Sequence, residues 1–462
     1  MVAMEILAHV RSVCPVCLRV IDADKVARDG DVFLDKTCPE HGFFSTVIWR
    51  GQNPSYVDWN SPDEPNLLPY HHTVTKLGCP FDCGLCPDHS ALTCTVLFEV
   101  TQRCNLGCPI CFASSELNPI ADISIKEVGL VFERLLESGG SCPLQLSGGE
   151  PTVRNDLPEI VALAKRMGFP HIQINTNGLR IAANKDYLLA LKDAGTDLIY
   201  LQVDGVSDNV YQIIRGRSLA NIKRTALENC SDVKIGVQLV PTIIRGVNDG
   251  EMGKIVTLAK EYIPIVKGVH FQPVSYFGRY SPMPSNESRM TLPDVLHELT
   301  VQTEGEVAAE HFLPRHKHDA HCGFSAFYIL TEDGHLCATT HFDPALPPSN
   351  RSNKSPADHV REFIINKSRY IEEDVDECEC IRSARLAKTL ARAKKYSLSI
   401  SGMPFMDAWT LDLERLRNCC VHVARTDGRV IPFCANYLTN SNGCHLPGMD
   451  SLQREADLHG SN

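Results

Sequence analysis

Residues 99–114, EVTQRCNLGCPICFAS, follow a short apolar run and carry three cysteines, Cys104, Cys108 and Cys111. This C-x3-C-x2-C spacing, directly after a predicted strand, places three thiols on one loop. Three thiolates can ligate three irons of a [4Fe–4S] cluster, which leaves the fourth iron open to a small molecule. A structural zinc site is the alternative, but zinc normally takes four protein ligands. The stretch therefore predicts an iron–sulfur site that performs chemistry.

The composition indicates a globular protein with metal sites. The 462 residues, enough for two or three domains, are 43% hydrophobic with a net charge of −11, which argues against a nucleic-acid binder. No apolar run reaches the roughly 18 residues of a membrane-spanning helix, and the N-terminus lacks a signal-peptide layout. Twenty cysteines without export indicate metal ligands in a reducing compartment. We therefore expect a cytoplasmic protein.

Two short ligand pairs predict a small metal-binding ribbon in residues 12–49. Cys14 and Cys17 form a C-x2-C pair, and Cys38 and His41 form a C-x2-H pair after a polar, hairpin-like stretch. Three thiolates and one imidazole make a tetrahedral site for zinc or a single iron, and so small a unit needs its metal to fold. Because this site has no open coordination position, we expect it to be structural.

A second C-x3-C-x2-C triplet follows a proline-rich linker at residues 51–72. Its members are Cys79, Cys83 and Cys86. Cys94 is the preferred fourth ligand because thiolate is the usual iron–sulfur ligand, and His89 is the rival. Four protein ligands would close this cluster, which predicts an electron-relay or structural role. The alternative, in which this triplet holds the open iron, is disfavoured because strands suited to binding a small molecule follow Cys111.

Downstream of Cys111, strands and helices alternate. Six strand-like runs alternate with helical periodicities across residues 95–272, which predicts an α/β fold with a parallel sheet curled into a partial (β/α)6 barrel of the TIM type. Barrels of this kind hold their active sites at the C-terminal ends of the strands. The cysteine loop, residues 148–150, residues 175–177 and Asp204 all fall at such ends.

This order of motifs resembles the radical S-adenosylmethionine (SAM) superfamily. The resemblance implies that SAM chelates the open iron through its amino and carboxylate groups, with the three loop cysteines as catalytic cluster ligands. Gly148, Gly149 and Glu150 match the family's Gly-Gly-Glu turn, which takes the SAM amino group. Glycine would let the backbone approach the ligand, and the Glu150 carboxylate or the main chain would face the ammonium.

Later strand ends in this superfamily hold the ribose and adenine of SAM. By position, the resemblance implies five further cofactor-binding residues: Asn175, Thr176, Asn177, Gln202 and Asp204. Arg215-Gly216 also matches the family's fourth-strand segment. Ile110 is a departure, because many members carry an aromatic residue before the third cysteine.

The region beyond residue 280 carries more thiols. Four of them are predicted to form a third cluster: Cys322, Cys419, Cys420 and Cys434. Combinations with Cys337, Cys378, Cys380 or Cys444 stay open. A vicinal pair cannot easily give both thiols to one small cluster, so either Cys419 or Cys420 is expected to be reactive instead. Hairpins are predicted at residues 327–338 and 424–432, a solvated histidine-rich loop at 311–322 and a basic helix at 382–395.

The whole layout resembles the tetraether lipid synthases and the class D radical SAM methylases. It predicts a metal ribbon at 1–50, an auxiliary-cluster segment at 51–94, a radical SAM barrel at 95–280 and a C-terminal cluster and substrate region at 281–462. The resemblance implies one or two auxiliary [4Fe–4S] clusters, SAM, and hydrogen abstraction from an unactivated carbon followed by C–C bond formation or alkylation.

The expected partners are a small-molecule or lipid-like substrate and an electron donor such as ferredoxin or flavodoxin. Peripheral membrane contact through the basic helix is a further possibility. A peptide maturase with auxiliary clusters is the alternative function. A non-enzymatic electron carrier is disfavoured, because a carrier needs no turn that binds an amino acid.

Overall fold

The computed structural model describes most of the chain. The described residues are 4–60, 73–115, 121–139, 141–280, 283–314, 319–344, 356–368, 370 and 392–446. Cys378, Cys380 and most of the predicted basic helix lie outside them, as does part of the histidine-rich run. Among the described helices, none combines the length and the apolar character needed to cross a bilayer.

The N-terminal unit is a four-stranded antiparallel meander. Its strands are β1 (Met4–Val13), β2 (Val20–Arg28), β3 (Asp31–Cys38) and β4 (Gly42–Trp49). Its inner side is fixed to the C-terminal region by buried polar contacts. Lys36 Nζ donates to the carbonyl oxygen of Ala408 at 2.8 Å, and Ser12 Oγ donates to that of Leu411 at 2.6 Å.

The centre of the fold is a run of six parallel strands, which confirms the predicted partial barrel. The strands are β5 (Thr95–Thr101), β6 (Leu144–Gly148), β7 (Ile172–Thr176), β8 (Leu198–Gln202), β9 (Gly236–Val240) and β11 (Val266–Pro273), with the short β10 (Thr242–Ile243) paired to β11. The connecting helices are α1 (Ile125–Gly139), α2 (Leu157–Met167), α3 (Leu179–Ala183), α4 (Lys185–Asp193), α5 (Asp208–Arg215), α6 (Ala220–Asp232) and α7 (Met252–Glu261). Outward-facing aliphatic side chains such as Leu146, Ile174 and Ile199 are fully buried against these helices.

Strands from the C-terminal region extend both edges of the barrel sheet, which has 13 strands among the described residues. They are β12 (Leu313–Pro314), β13 (Phe324–Leu330), β14 (Leu336–Ala338), β15 (Ser397–Gly402), β16 (Val421–Ala424) and β17 (Val430–Pro432). Strand β15 pairs in parallel with β11, and β16 pairs in parallel with β5. Both predicted hairpins are present, as β13–β14 and β16–β17. The sheet thus runs across the domain boundary predicted at residue 280.

Several helices complete the described C-terminal region. They are α8 (Leu292–Gln302), α9 (Pro356–Ser368), α10 (Leu413–Arg417) and α11 (Phe433–Asn436). Arg361 on α9 donates two hydrogen bonds, of 2.9 and 2.6 Å, to the carbonyl oxygen of Thr93, just before β5. Helix α9 therefore lies at the base of the barrel, opposite the cysteine loop.

Gly268 is essential to the junction between β11 and β15. A Cβ at this position would lie 2.2 Å from Ser399 Oγ and 2.6 Å from the Ser399 carbonyl oxygen. Overpacking of this kind costs about 1–3 kcal/mol, so Gly268→Ala is expected to lower the melting temperature. Gly250→Ala is the control, because a Cβ there meets nothing within 4 Å. Equal melting temperatures for the two variants would contradict the pairing.

Candidate active site and metal-binding clusters

A cavity of about 910 Å³ occupies the interior of the barrel. Most of the predicted SAM-site residues line it: Cys104, Cys108, Cys111, Gly148, Gly149, Glu150, Asn175, Thr176, Asn177 and Gln202. The cysteine loop and the predicted SAM-binding strand ends therefore face one space.

The Gly-Gly-Glu turn is bound to the backbone that leads into the cysteine loop. The Gly149 N–H donates to the Thr101 carbonyl oxygen and the Glu150 N–H donates to that of Arg103, both at 2.9 Å. A Cβ on Gly148, whose φ is +133°, would lie 2.0 Å from the Thr101 oxygen. A Cβ on Gly149 would lie 2.3 Å from the Arg103 oxygen. These glycines are thus required by the contact between two backbone segments, rather than by the approach of a ligand that the sequence suggested.

The Glu150 side chain is only 1% exposed and is occupied by protein donors. Its carboxylate accepts from Thr152 N at 3.1 Å, Thr176 Oγ1 at 2.7 Å and Asn177 N at 2.7 Å. Burial raises the pKa of Glu150, and the hydrogen bond from Asn177 N opposes that shift. The carboxylate therefore fastens the end of β7 to the turn. The sequence analysis predicted either this carboxylate or the main chain as the acceptor for the SAM ammonium. Because the carboxylate is occupied, the main chain is the acceptor that remains available.

Asn177 connects three parts of the site. Its Nδ2 donates to Asn105 Oδ1 on the cysteine loop at 2.7 Å, and its carbonyl oxygen accepts from Lys223 Nζ at 2.6 Å. Lys223 on α6 is 1% exposed, and burial lowers its pKa to about 8. The sequence analysis missed Lys223, because a lysine on an amphipathic helix gives no sign that it points inward.

Asp204 is not among the residues that line the cavity, so the geometry gives no support to its predicted role in binding the cofactor. It is fully buried, and its two oxygens accept from Arg215 Nε and Nη2 at 2.7 Å each. Arg215 lines the cavity, and the Gln202 side-chain oxygen, oriented toward it, accepts from its Nη2 at 3.0 Å. Burial raises the pKa of the Cys108 thiol, and the Arg215 guanidinium opposes that shift. Asp204 thus orients a cation beside the cysteine loop.

The second triplet borders a small separate cavity. Cys79, Cys83 and Cys86 line it together with His89 and Arg417.

Cys94, the predicted fourth ligand, is not in the wall of that small cavity. It is fully buried against Ala357 and Cys420, and its N–H donates to the Cys420 carbonyl oxygen at 2.8 Å. Because Cys94 leads directly into β5, the pairing of β5 with β16 fixes it at the base of the barrel. The structure therefore places the rival, His89, beside the triplet.

The vicinal cysteines are divided between two environments. Burial raises the pKa of Cys419, and the nearby thiols of Cys434, Cys420 and Cys322 add to that shift. Cys419 also contributes to the raised pKa of Cys83, after larger contributions from Cys79 and burial. Cys420 instead packs with Cys94, as described above. Of the predicted group of four, the structure thus places Cys322 and Cys434 near Cys419, close to the second triplet.

The ribbon brings its four predicted ligands together. The donor atoms of Cys14, Cys17, Cys38 and His41 all lie within 4.8 Å of one another. His41 Nδ1 is 3.4 Å from Cys38 Sγ, and Cys17 Sγ is 4.0 Å from Cys38 Sγ. A tetrahedral zinc site with Zn–S bonds of about 2.3 Å has edges of about 3.8 Å. The side chains therefore fit a zinc-sized ion.

Comparison with known proteins supports both the barrel with its cysteine loop and the N-terminal ribbon. Residues 98–259 match the radical SAM superfamily, and residues 6–50 match the HMPTM N-terminal zinc ribbon domain. The 7,8-dihydro-6-hydroxymethylpterin dimethyltransferase of Methanocaldococcus jannaschii is 36% identical, over 92% of this chain and 92% of that protein. This chain belongs to the radical SAM superfamily.

Other members of the radical SAM superfamily match shorter stretches. A probable GTP 3',8-cyclase of Methanothermobacter thermautotrophicus is 27% identical over 37% of this chain and 56% of that protein. Streptococcus suis SuiB bound to its precursor peptide SuiA superposes on 47% of this chain and 46% of its own, with a TM-score of 0.40 and 13% identity.

The cysteine loop fits the cluster of a radical SAM enzyme. Three thiols come from one loop at the cavity wall, which suits a cubane with one open iron. When bound, such a cluster supplies the electron that cleaves SAM. The chain's own residues hold the loop in place through the Gly149 and Glu150 amides, and they place the Arg215 cation beside Cys108.

Gly148→Ala tests whether the turn positions the cysteine loop. Its Cβ would collide with the Thr101 backbone, so we expect iron content to fall by roughly one four-iron cluster and SAM cleavage to be lost. Gly246→Ala is the matched control, because its φ of +75° is also positive while its Cβ meets nothing within 4 Å. Full iron content in Gly148→Ala, or an equal loss in both variants, would contradict this role.

The neighbouring thiols Cys419 and Cys420 give a second test. Cys419 lies near Cys83 of the second triplet, whereas Cys420 packs against Cys94, so Cys419→Ser is expected to lose roughly four irons after anaerobic reconstitution. Cys420→Ser should retain them. Iron and sulfide analysis of the two variants measures the difference, and the reverse pattern would show that the structure assigns the wrong thiol.

Proposed function

We propose that this radical SAM enzyme methylates carbon on a neutral heterocycle of the pterin class. The observation that carries the proposal is the set of hydrogen-bonding side chains within the largely apolar barrel interior, which offers no unpaired charge among the described residues. The relative that matches over 92% of both chains is named for dimethylation of a dihydropterin, and it supplies the substrate class.

Many inward-facing positions of the barrel are polar, although Leu97 and Val240 also line the cavity. The polar ones include Gln145, Asn175, Tyr200, Gln202, His270, Gln272 and Ser401. Barrel interiors are more often filled by branched aliphatic side chains. Side-chain amides offer both donors and acceptors, as does the edge of a pterin ring. Phenylalanines such as Phe277, Phe327 and Phe405 form other parts of the wall and suit the faces of a planar ring.

The charged residues of the cavity lining argue against a nucleotide substrate. Among the described lining residues, Glu150 and Arg215 alone carry a formal charge, and both are paired within the protein. A triphosphate is normally bound by several cationic groups. The cavity thus gives no support for a substrate such as the GTP named in the shorter matches.

The lipid-like substrate suggested by the sequence stays a prediction, and the cavity does not favour it. A long hydrocarbon chain makes no hydrogen bonds, so it would leave the buried Asn175 Oδ1 unpaired, at a cost in free energy. A pterin can donate a hydrogen bond to this atom. Tetraether lipid synthesis is therefore the weaker of the two assignments.

We further propose that the second triplet, with Cys419, holds an auxiliary cluster and that a ferredoxin- or flavodoxin-like donor supplies electrons. The support is the proximity of Cys419 to Cys83, which lies in the triplet. Cys322 and Cys434 lie beside this group and are the candidates for a further cluster. The ribbon ligands are assigned to zinc.

The function is tested by anaerobic incubation of the reconstituted enzyme with SAM, a reductant and one candidate substrate at a time. We expect 7,8-dihydro-6-hydroxymethylpterin to stimulate 5'-deoxyadenosine formation and to gain methyl groups, as measured by mass spectrometry. GTP and a long-chain lipid are the comparison substrates, and Cys108→Ala is the inactive control. Stimulation by GTP or lipid, with none by the pterin, would overturn the proposal.

A further inference from the structure

Helix α9 forms the floor of the cavity and is anchored on two sides. Arg361 binds the Thr93 carbonyl oxygen at the start of β5, and Ala357 is fully buried. On the other side, the Phe363 ring packs against Phe327 of β13 with centroids 5.1 Å apart. The helix thus spans the base of the barrel between its two extended edges.

His359 is the polar side chain that this floor presents to the cavity. Its neighbours on α9 that also line the cavity are Val360, Phe363 and Ile364. The Nε2 atom of His359 is buried and has no hydrogen-bond partner among the described residues. Asn175 Oδ1, in the wall of the same cavity, is also buried and unpaired. Unpaired buried polar atoms are unfavourable, so a ligand that pairs with them gains affinity.

The floor is far from the cysteine loop. Thr95, at the first position of β5, lines the cavity, whereas the loop begins beyond Thr101 at the other end of that strand. Six residues of extended strand span roughly 20 Å. The groups that position SAM lie at the loop end, so His359 is placed to contact a second molecule in the deeper part of the cavity.

We propose that His359 is a specificity-determining residue that hydrogen-bonds the polar edge of the substrate through Nε2. This inference rests on the proposed function and names a residue of its substrate subsite. Imidazole can donate or accept depending on its tautomer, so it can pair with a ring nitrogen, a ring N–H or a carbonyl oxygen. Asn175 supplies an acceptor in the same cavity. His359 is the only described lining residue on α9 that can form such a bond.

Direct binding tests the proposal. The reconstituted, SAM-loaded enzyme is dialysed to equilibrium against 7,8-dihydro-6-hydroxymethylpterin without reductant, and bound pterin is measured by absorbance. His359→Leu is expected to weaken binding about tenfold or more. His359→Gln, whose amide can occupy a position close to that of Nε2, should recover part of the affinity. Iron content and SAM binding should match the wild type in both variants.

Val360→Ala is the matched control, since Val360 lies on the same helix and lines the same cavity without a polar group. It should change pterin affinity less than threefold. A threefold change corresponds to about half the binding free energy of the tenfold change expected for His359→Leu. Equal affinity of wild type and His359→Leu would overturn the assignment of His359 and leave the proposed function intact. Equal loss in His359→Leu and Val360→Ala, or no recovery in His359→Gln, would also overturn it. Absence of pterin binding by the wild type would overturn both.

Discussion

Two backbone hydrogen bonds, from Gly149 to Thr101 and from Glu150 to Arg103, hold the cysteine loop against the end of the neighbouring strand. Both need a separation between chain segments that a Cβ at Gly148 or Gly149 would prevent. The rest of the site is built onto this contact. Glu150 fastens the end of β7, and Asn177 then reaches back to the loop through Asn105. The thiols of the loop are thus fixed by main-chain geometry before any cofactor binds.

The C-terminal region extends the barrel sheet and closes its base. Strands β15 and β16 extend the two edges of the sheet, and α9 covers its base. The same region brings Cys419 toward the second triplet. A single packing arrangement therefore encloses the substrate cavity and gathers the auxiliary thiols. Substitutions that loosen the C-terminal strands are consequently expected to affect both the cavity and the iron content.

The sequence predicted the features that depend on local spacing. The ribbon ligands and the cysteine loop follow from short-range patterns, and the parallel barrel follows from the alternation of strand and helix periods. The sequence did not reveal which way individual side chains face after long-range pairing. The packing of Cys420 against Cys94 depends on the pairing of β16 with β5, which the sequence does not show.

The surroundings of Cys94 were not predictable for the same reason, because the pairing of β5 with β16 packs Cys94 against Cys420. Asp204 shows a second limit of prediction from sequence, which is that ion-pair partners distant in sequence are not apparent. It falls at a strand end, as a ligand-binding residue should, yet its partner Arg215 lies on the following helix and only the folded chain brings them together. Lys223 and His359 were missed because each is a single polar residue on a helix, without a motif around it.

The most direct test of the central claim is electron–nuclear double resonance on the reduced protein with SAM labelled at its carboxylate with 17O. The account predicts a hyperfine coupling between the label and a cluster. That coupling should be retained in Cys83→Ala and be absent in Cys108→Ala. A coupling that survives in Cys108→Ala and disappears in Cys83→Ala would show that SAM binds the other triplet, and it would contradict the site described above.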